Sequence, residues 1–168
     1  GIFLSFQNPV PIPGVTIESF IGAALNARGI KQGFLELRKK LNQTMNELNI
    51  DSSYSERFVN VGFSGGERKK SEILQLLMLS PKLAILDETD SGLDIDAVDV
   101  VGKGIAKFRE NKDSSLIIIT HHHEILKYIE SDFVHVMMNG TIIKTGDSSL
   151  MKKIDESGFS FLRDDYES

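Results

Sequence analysis

The 168-residue sequence contains no cysteine, which excludes a disulfide scaffold, a thiolate metal site and a cysteine nucleophile and fits a reducing compartment. No apolar run approaches the roughly 18 residues that a membrane span needs. The apolar segment 1–6 is too short for a signal peptide and has no basic leader. The 19 basic and 24 acidic residues give a net charge of −5, which argues against a general nucleic-acid or anionic-membrane binder. With 40% hydrophobic and 26% charged residues, the composition is typical of one globular domain, or one domain with a small lobe.

Five short apolar runs rich in branched residues predict β-strands. The predicted strands are Ile2–Phe6, Leu83–Leu86, Leu116–Thr120, Phe133–Met138 and Thr141–Lys144. The runs at 83–86 and 116–119 are apolar at every position, which predicts parallel strands covered by helices on both faces. Asn139-Gly140 joins the last two strands and predicts an antiparallel hairpin at an edge.

Helical patterns occupy the intervals between these strands. Two of them, over 17–28 and 33–48, follow one another with no strand between, and an apolar stripe from Leu93 to Phe108 predicts a further helix. The alternation predicts an α/β protein with a mostly parallel sheet and an inserted helical subdomain. We divide the chain into 1–14, the end of a core strand and its loop, 15–75, the helical lobe, and 76–168, the rest of the core.

Two carboxylates, Asp87 and Glu88, follow one of the buried strands. The carboxyl end of a strand is where α/β proteins bind ligands. Asp87 could hold a magnesium ion, as nucleotide hydrolases require, and Glu88 could accept a proton from an attacking water. The alternative is a strand that simply runs into an acidic turn.

A second motif, Phe63-Ser64-Gly65-Gly66-Glu67, precedes a helix predicted to run to about Leu79. Its serine and glutamate have the spacing of a capping box, and its glycines leave backbone N–H groups accessible to a phosphate. The basic residues 68–70 follow in the first turns, where the helix dipole disfavours them unless an anion is near. An ordinary capped helix with a solvated basic patch is the alternative interpretation.

Three further segments could contribute to a site. Asp90-Ser91-Gly92-Leu93-Asp94 forms a polar turn after the acidic pair, and Gln7 ends the first strand before a proline-rich turn. Thr120-His121-His122-His123 follows the strand at 116–119, so a histidine there could reach a phosphate or a water. Adjacent residues do not converge on one metal ion, and we interpret His122 and His123 as a solvated helix start.

In this order the features resemble the ABC ATPase family. The matching residues are Gln7 for the Q-loop, Ser64 to Glu67 for the signature, Asp87 and Glu88 for the Walker B pair, Asp90 to Asp94 for the D-loop and His121 for the switch histidine. The longer strings at 6–15, 60–67 and 87–97 resemble, within that family, the SUF iron–sulfur cluster assembly ATPases (SufC). The resemblance extends over essentially the whole chain and implies a P-loop NTPase core.

The resemblance also implies roles for these residues, with ATP and Mg²⁺ as the ligands. Asp87 and Gln7 would hold Mg²⁺, Glu88 would be the general base, and His121 would contact the γ-phosphate. In the family two subunits enclose ATP head to tail, so the signature would bind the nucleotide of the partner in a transient homodimer. The implied nucleotide contacts are Gln7, Ser64, Gly65, Gly66, Glu67 and Asp94.

One motif of the family is missing from the sequence. A P-loop reads G-x-x-x-x-G-K-[ST], and the Gly-Lys pair at Gly102-Lys103 lies inside a predicted helix. In the family the P-loop precedes the Q-loop. The chain, which begins without methionine, therefore resembles the carboxyl-terminal part of such an ATPase, and we expect this part alone not to hydrolyse ATP.

For partners, the resemblance implies soluble scaffold proteins of SufB and SufD type, which ATP-driven closure would remodel. It implies a cytoplasmic location, or a plastid-type organelle in a eukaryote, without nucleic-acid binding or membrane insertion. Two other functions stay open. The chain could be the ATPase subunit of an ABC transporter, bound to membrane domains through the same lobe, or a non-enzymatic interaction module.

Overall fold

Three of the predicted strands form one parallel sheet in the computed structural model, which describes residues 1–121 and 124–159. The strands β1 (Ile2–Ser5), β2 (Leu83–Asp87) and β3 (Ser115–Ile119) lie side by side in that order. The register pairs Ser5 with Leu86 and Asp87 with Ile119. Because the strands are parallel, the residues that follow each of them are brought to the same edge of the sheet.

One face of this sheet is covered and the other is open among the described residues. Ala84 and Leu86 are fully buried, whereas Leu4, Ile117 and Ile119 of the opposite face are 42%, 49% and 51% exposed. The prediction that the run at 116–119 is covered on both faces is therefore wrong for this part of the chain, where β3 is an edge strand. An apolar run shows that a strand avoids polar side chains, but it does not identify which elements cover it.

Two successive helices, α1 (Ile17–Ala27) and α2 (Phe34–Glu47), confirm the predicted pair without an intervening strand. Each buries an apolar stripe at helical spacing. The buried residues are Ile17, Ile21 and Leu25 in α1, and Leu37, Leu41 and Met45 in α2. A short 3-10 helix, Ser52–Glu56, lies in the predicted loop that follows. Both α1 and α2 pack against α3 (Gly65–Leu79). The predicted boundary at residue 75 falls inside this helix.

Helix α3 also packs against α4 (Ile95–Arg109). The approach is close because Gly104 of α4 faces Ile73 of α3, where a Cβ atom would overlap the isoleucine side chain. A second α4 glycine, Gly102, faces the ring of Tyr128 in the short 3-10 helix Glu124–Tyr128. These glycines fix how closely the neighbouring elements approach α4.

The described residues divide into two compact units, one ending at Tyr128 and the other beginning at Ile129. In the second unit, β4 (Val134–Met138) and β5 (Thr141–Gly146) pair antiparallel, as Asn139-Gly140 predicted. Both turn residues have positive φ, 50° and 80°, as a tight hairpin turn requires. Helix α5 (Ser148–Ser157) follows, and the core of this unit is Val136, Leu150 and Ile154. In the described part of the chain, no helix combines the length and apolarity that a membrane crossing would require.

Candidate functional site

The structure brings Gln7, Glu88 and His121 together at the carboxyl edge of the parallel sheet. Gln7 Nε2 donates a hydrogen bond to Glu88 Oε2 at 2.6 Å. His121 Nδ1 lies 3.3 Å from the other carboxylate oxygen, Oε1. Gln7 follows β1, Glu88 follows β2 and His121 follows β3, so adjacent parallel strands account for the grouping. The Glu88 side chain is 27% exposed and that of His121 60% exposed, which leaves the site accessible to a ligand.

The backbone at Glu88 is held in an unusual conformation. Its φ is 45°, in the left-handed region that residues other than glycine seldom adopt. The Glu88 amide donates to the Ile119 carbonyl at 2.8 Å, and the Ser91 amide donates to the Glu88 carbonyl at 3.2 Å. These bonds hold the turn, which directs the carboxylate towards Gln7 and His121. Strained backbone of this kind is common at functional sites.

The turn after Glu88 is tied to the end of β3 by a buried carboxylate. Asp90 is 6% exposed and its Oδ2 accepts a hydrogen bond from Thr120 Oγ1 at 2.8 Å. Thr120 precedes His121, so this bond fixes the β3 end beside the Glu88 turn. Asp90 was predicted as part of the D-loop. Its hydrogen bond with Thr120 was not predicted from the sequence.

The donor set at this edge fits a magnesium ion. Asp87 offers carboxylate oxygens at the end of β2, and the amide of Gln7 retains Oε1 after its nitrogen has donated to Glu88. Mg²⁺ prefers such oxygen ligands and usually binds one or two protein groups, with waters and substrate phosphates completing its shell. Among the described residues, no cluster of three or more acidic, histidine or cysteine side chains could hold a metal on its own. The predicted positions His122 and His123 lie outside the described residues.

The signature residues form a second group at the start of α3. Ser64 Oγ accepts from the Glu67 amide at 3.2 Å, and Glu67 Oε2 accepts from the Ser64 amide at 2.8 Å, which confirms the predicted capping box. A Cβ atom at Gly65 would have no neighbour within 4 Å, whereas one at Gly66 would lie 3.3 Å from Ala97 Cβ of α4. Gly65 is therefore open to an approaching ligand, and Gly66 packs beside the first turn of α4.

Two residues that sequence reasoning missed hold Glu67 in place. Arg57 Nη1 lies 2.6 Å and the Tyr54 hydroxyl 2.9 Å from Glu67 Oε1. The Arg57 guanidinium stacks 4.0 Å from the ring centroid of Phe63, and this contact orients it. Its hydrogen bond, helped by the Ser64 amide, lowers the pKa of Glu67 to about 2. Burial and the bond to Glu67 raise the pKa of Tyr54 to about 12. Nothing in the polar segment 49–57 singled these residues out.

Asp94 has a structural role in the described chain. It is the N-cap of α4, and its Oδ1 accepts from the Ala97 amide at 2.7 Å. The predicted contact of Asp94 with nucleotide stays a proposal.

Lys69 departs from the alternative interpretation of the motif, a solvated basic patch. It is 5% exposed, and its Nζ lies 3.1 Å from Glu72 Oε2 on the same helix. Burial raises the pKa of Glu72, while Lys69 acts in the opposite direction. The negative charge that offsets Lys69 near the N-terminus of α3 is therefore the buried carboxylate of Glu72 on the same helix.

Comparison with known proteins identifies the family. The ABC transporter family model matches residues 1–91. The chain is 49% identical over 170 residues to a probable ATP-dependent transporter, ycf16, of Guillardia theta, covering 98% of this chain and 67% of that protein. It is 46% identical to a probable ABC transporter ATP-binding protein of Streptococcus pyogenes serotype M3, covering 98% and 65%. It is 44% identical to vegetative protein 296 of Bacillus subtilis, covering 97% and 63%. The chain therefore belongs to the ABC transporter family of ATP-binding proteins, and it spans about two thirds of the length of these curated relatives.

Solved structures agree on the fold. An ATP-binding subunit of an ABC transporter has a TM-score of 0.74 at 22% identity, over 99% of this chain and 68% of that one. A dimeric ATP-binding cassette in a post-hydrolysis state, bound to ADP and Pi, has a TM-score of 0.69 at 17% identity, over 87% and 62%. These comparisons confirm the predicted fold class, the α/β P-loop fold of ABC cassettes.

Proposed function

We propose that this chain supplies the catalytic glutamate and the signature segment of an ABC-type, magnesium-dependent ATPase. The observation that carries the proposal is the arrangement of Gln7 and His121 about the carboxylate of Glu88, at 2.6 and 3.3 Å. A carboxylate held from both sides, at the edge of a parallel sheet in a chain of this family, suits the activation of a water.

In the proposed reaction, Glu88 accepts a proton from the water that attacks the γ-phosphorus of ATP. The bond between that phosphorus and the β,γ-bridging oxygen breaks, which yields ADP and inorganic phosphate. Gln7 orients Glu88 Oε2 through its amide, and His121 lies beside Oε1, where its ring could also reach a γ-phosphate oxygen. Asp87 and Gln7 would hold Mg²⁺, which when bound neutralises phosphate charge.

The signature group supports a second role, contact with nucleotide held by another subunit. Gly65 is open, and the first-turn N–H groups of α3 favour an anion there. The capping box and Arg57 keep this backbone in one conformation by fixing Glu67. We propose that Ser64, Gly65 and Gly66 bind the partner's ATP in a transient homodimer. Glu67 and Asp94 are the other proposed nucleotide contacts in this group.

For the cellular role, we propose iron–sulfur cluster assembly of the SUF type, with scaffold proteins of SufB and SufD type as partners, in a reducing compartment such as the cytoplasm. The strings at 6–15, 60–67 and 87–97 support this assignment over other branches of the family. The second candidate is the ATPase subunit of a transporter, which the names of the Guillardia theta and Streptococcus pyogenes relatives favour. Affinity purification separates the two, because a soluble scaffold complex supports the first and an integral membrane partner the second.

The activity is tested on the full-length protein, since the 168-residue sequence contains no P-loop motif. We expect magnesium-dependent release of phosphate from ATP, lost in Glu88→Gln and retained in Glu36→Gln, an exposed carboxylate on α2. An unchanged rate in Glu88→Gln, or an equal loss in both variants, would contradict the role of Glu88.

A further inference from the structure

Helix α3 buries an ion pair that the proposed reaction does not use. Lys69 and Glu72 stand one turn apart, with Nζ and Oε2 separated by 3.1 Å, and each side chain is 6% exposed. Burying two charges costs desolvation energy, so such a pair is weak support for stability by itself. Its other contacts indicate what the pair does.

The pair holds both polar groups of the Phe6 backbone. Lys69 Nζ donates to the Phe6 carbonyl at 2.9 Å, and a backbone hydrogen bond from Phe6 stabilises the Glu72 carboxylate. Phe6 lies just beyond the end of β1 at Ser5 and immediately before Gln7. The ion pair therefore anchors the chain at the point where strand pairing stops and the site begins.

A hydroxyl pair extends the network towards Glu88. Ser5 Oγ donates to Glu72 Oε2 at 2.9 Å and lies 3.3 Å from Thr89 Oγ1. Ser5 is fully buried and Thr89 is 1% exposed. Since Thr89 follows Glu88, the network contacts the chain next to both partners of the Gln7–Glu88 hydrogen bond.

We infer that Lys69 and Glu72 are positioning residues, which hold the backbone on either side of the site so that Gln7 reaches Glu88. The inference rests on the proposed ATPase function and names residues that position the groups which carry it out. The ion pair suits this role because Lys69 and Glu72 together satisfy the Phe6 carbonyl, the Phe6 amide and the Ser5 hydroxyl. The same helix begins with Ser64, Gly65 and Gly66, so both groups of the site depend on α3.

The decisive variant is Lys69→Met/Glu72→Met in the full-length protein. Replacing a buried ion pair by apolar side chains of similar volume is often neutral or stabilising in itself, but it leaves the groups that the pair satisfied without partners, so we expect a folded protein with a melting temperature somewhat below wild type. The Phe6 backbone loses both of its partners, and kcat should fall at least about tenfold, as displacement of a catalytic group does. The KM for ATP should rise by a smaller factor than kcat falls, since Gln7 is also a proposed Mg²⁺ ligand.

Two further variants keep the test independent of folding. Gln75→Met removes a buried polar group from the same helix, one whose amide donates to Ser71 Oγ at 3.2 Å, and should leave kcat unchanged. Ser5→Ala deletes only the hydroxyl between Glu72 and Thr89 and should lower kcat about threefold or more. Amide hydrogen exchange at Gln7 and Asn8, measured without ATP, should become faster in the double variant but not in Gln75→Met.

The outcomes distinguish this inference from the proposed function. A wild-type protein without magnesium-dependent ATPase activity would overturn the proposed function, and exchange at Gln7 and Asn8 would still decide whether the pair anchors this segment. If wild type hydrolyses ATP, Glu88→Gln does not, and the folded double variant keeps the wild-type kcat, the ion pair is structural only. An equal loss of kcat in Gln75→Met would likewise overturn the inference.

Discussion

Gln7 and Glu88 are 81 residues apart in sequence, yet Gln7 Nε2 lies 2.6 Å from Glu88 Oε2. The parallel pairing of β1 with β2 brings them together, because Gln7 and Glu88 follow the paired ends of neighbouring strands. The hydrogen bond occupies one carboxylate oxygen and leaves the other facing His121 at 3.3 Å. This geometry constrains Glu88 in a position from which it can accept a proton.

The first prediction separates chemistry from binding at Glu88. In the full-length protein, Glu88→Gln should block hydrolysis and trap an ATP-bound dimer, because the amide keeps the shape of the side chain but cannot accept a proton. Gel filtration with ATP and magnesium measures the dimer. A variant that stays monomeric where wild type dimerises would contradict the assignment.

The second prediction concerns the pH dependence of the Arg57–Glu67 pair. The folded pKa of Glu67 is about 2 against a usual value of 4.5, so this carboxylate contributes stability above pH 4.5 that is lost as the pH falls towards 2. Arg57→Met removes the largest cause of the lowered pKa. Its melting temperature should therefore fall less steeply than that of wild type over this pH window.

The matched control for that experiment is Arg38→Met. Arg38 pairs with Glu56 at 2.7 Å, but this pair is exposed and should contribute little. We expect Arg38→Met to follow the wild-type pH dependence. Parallel curves for wild type and Arg57→Met would show that the pair does not stabilise the fold.

The sequence predicted the elements and the residues at the sheet edge because their signals are local. The capping box at Ser64 and the hairpin at Asn139-Gly140 each depend on a few adjacent residues, and the structure confirms both. The burial of Lys69 could not be predicted, because its partners include the carbonyl of Phe6, 63 residues away. Likewise, the open face of β3 depends on which elements cover the sheet, and an apolar run carries no information about that.

The third prediction tests the close packing of α3 on α4. An alanine at Gly104 would overlap Ile73, and overpacking costs about 1–3 kcal/mol, against a helix-propensity gain of up to about 1 kcal/mol. We expect Gly104→Ala to lower the melting temperature. Gly65→Ala at the start of α3 is the control, because a Cβ atom there has no neighbour within 4 Å and should change stability little. Equal stability of the two variants would contradict the packing.

The fourth prediction is that the signature segment acts on nucleotide held by the other subunit. Gly65→Asp suits the test, because the new Cβ atom meets nothing within 4 Å and a carboxylate in the first turn of α3 is compatible with the helix dipole. The fold should therefore tolerate the change. The added negative charge should repel a phosphate approaching this backbone and oppose closure of the dimer.

Mixing full-length Gly65→Asp with full-length Glu88→Gln gives heterodimers that distinguish the two arrangements. If the signature acts in trans, one composite site carries both defects and the other carries neither. The mixture should then regain up to about half of the wild-type activity per site, provided that the sites act independently. Mixtures that stay inactive, although mass spectrometry detects heterodimers, mean either action in cis or a requirement that both sites fire together.

A single-chain dimer with both substitutions in one half separates those remaining explanations. If Ser64, Gly65 and Gly66 serve the partner's nucleotide, Gly65→Asp damages one composite site and Glu88→Gln damages the other, so activity should vanish. If they serve their own subunit, both defects fall in the same site and the untouched half keeps working. The control is a single-chain dimer that carries Glu36→Gln in one half, an exposed carboxylate on α2, and it should retain full activity. Residual turnover near half of that control would overturn the assignment of the signature to the partner's nucleotide.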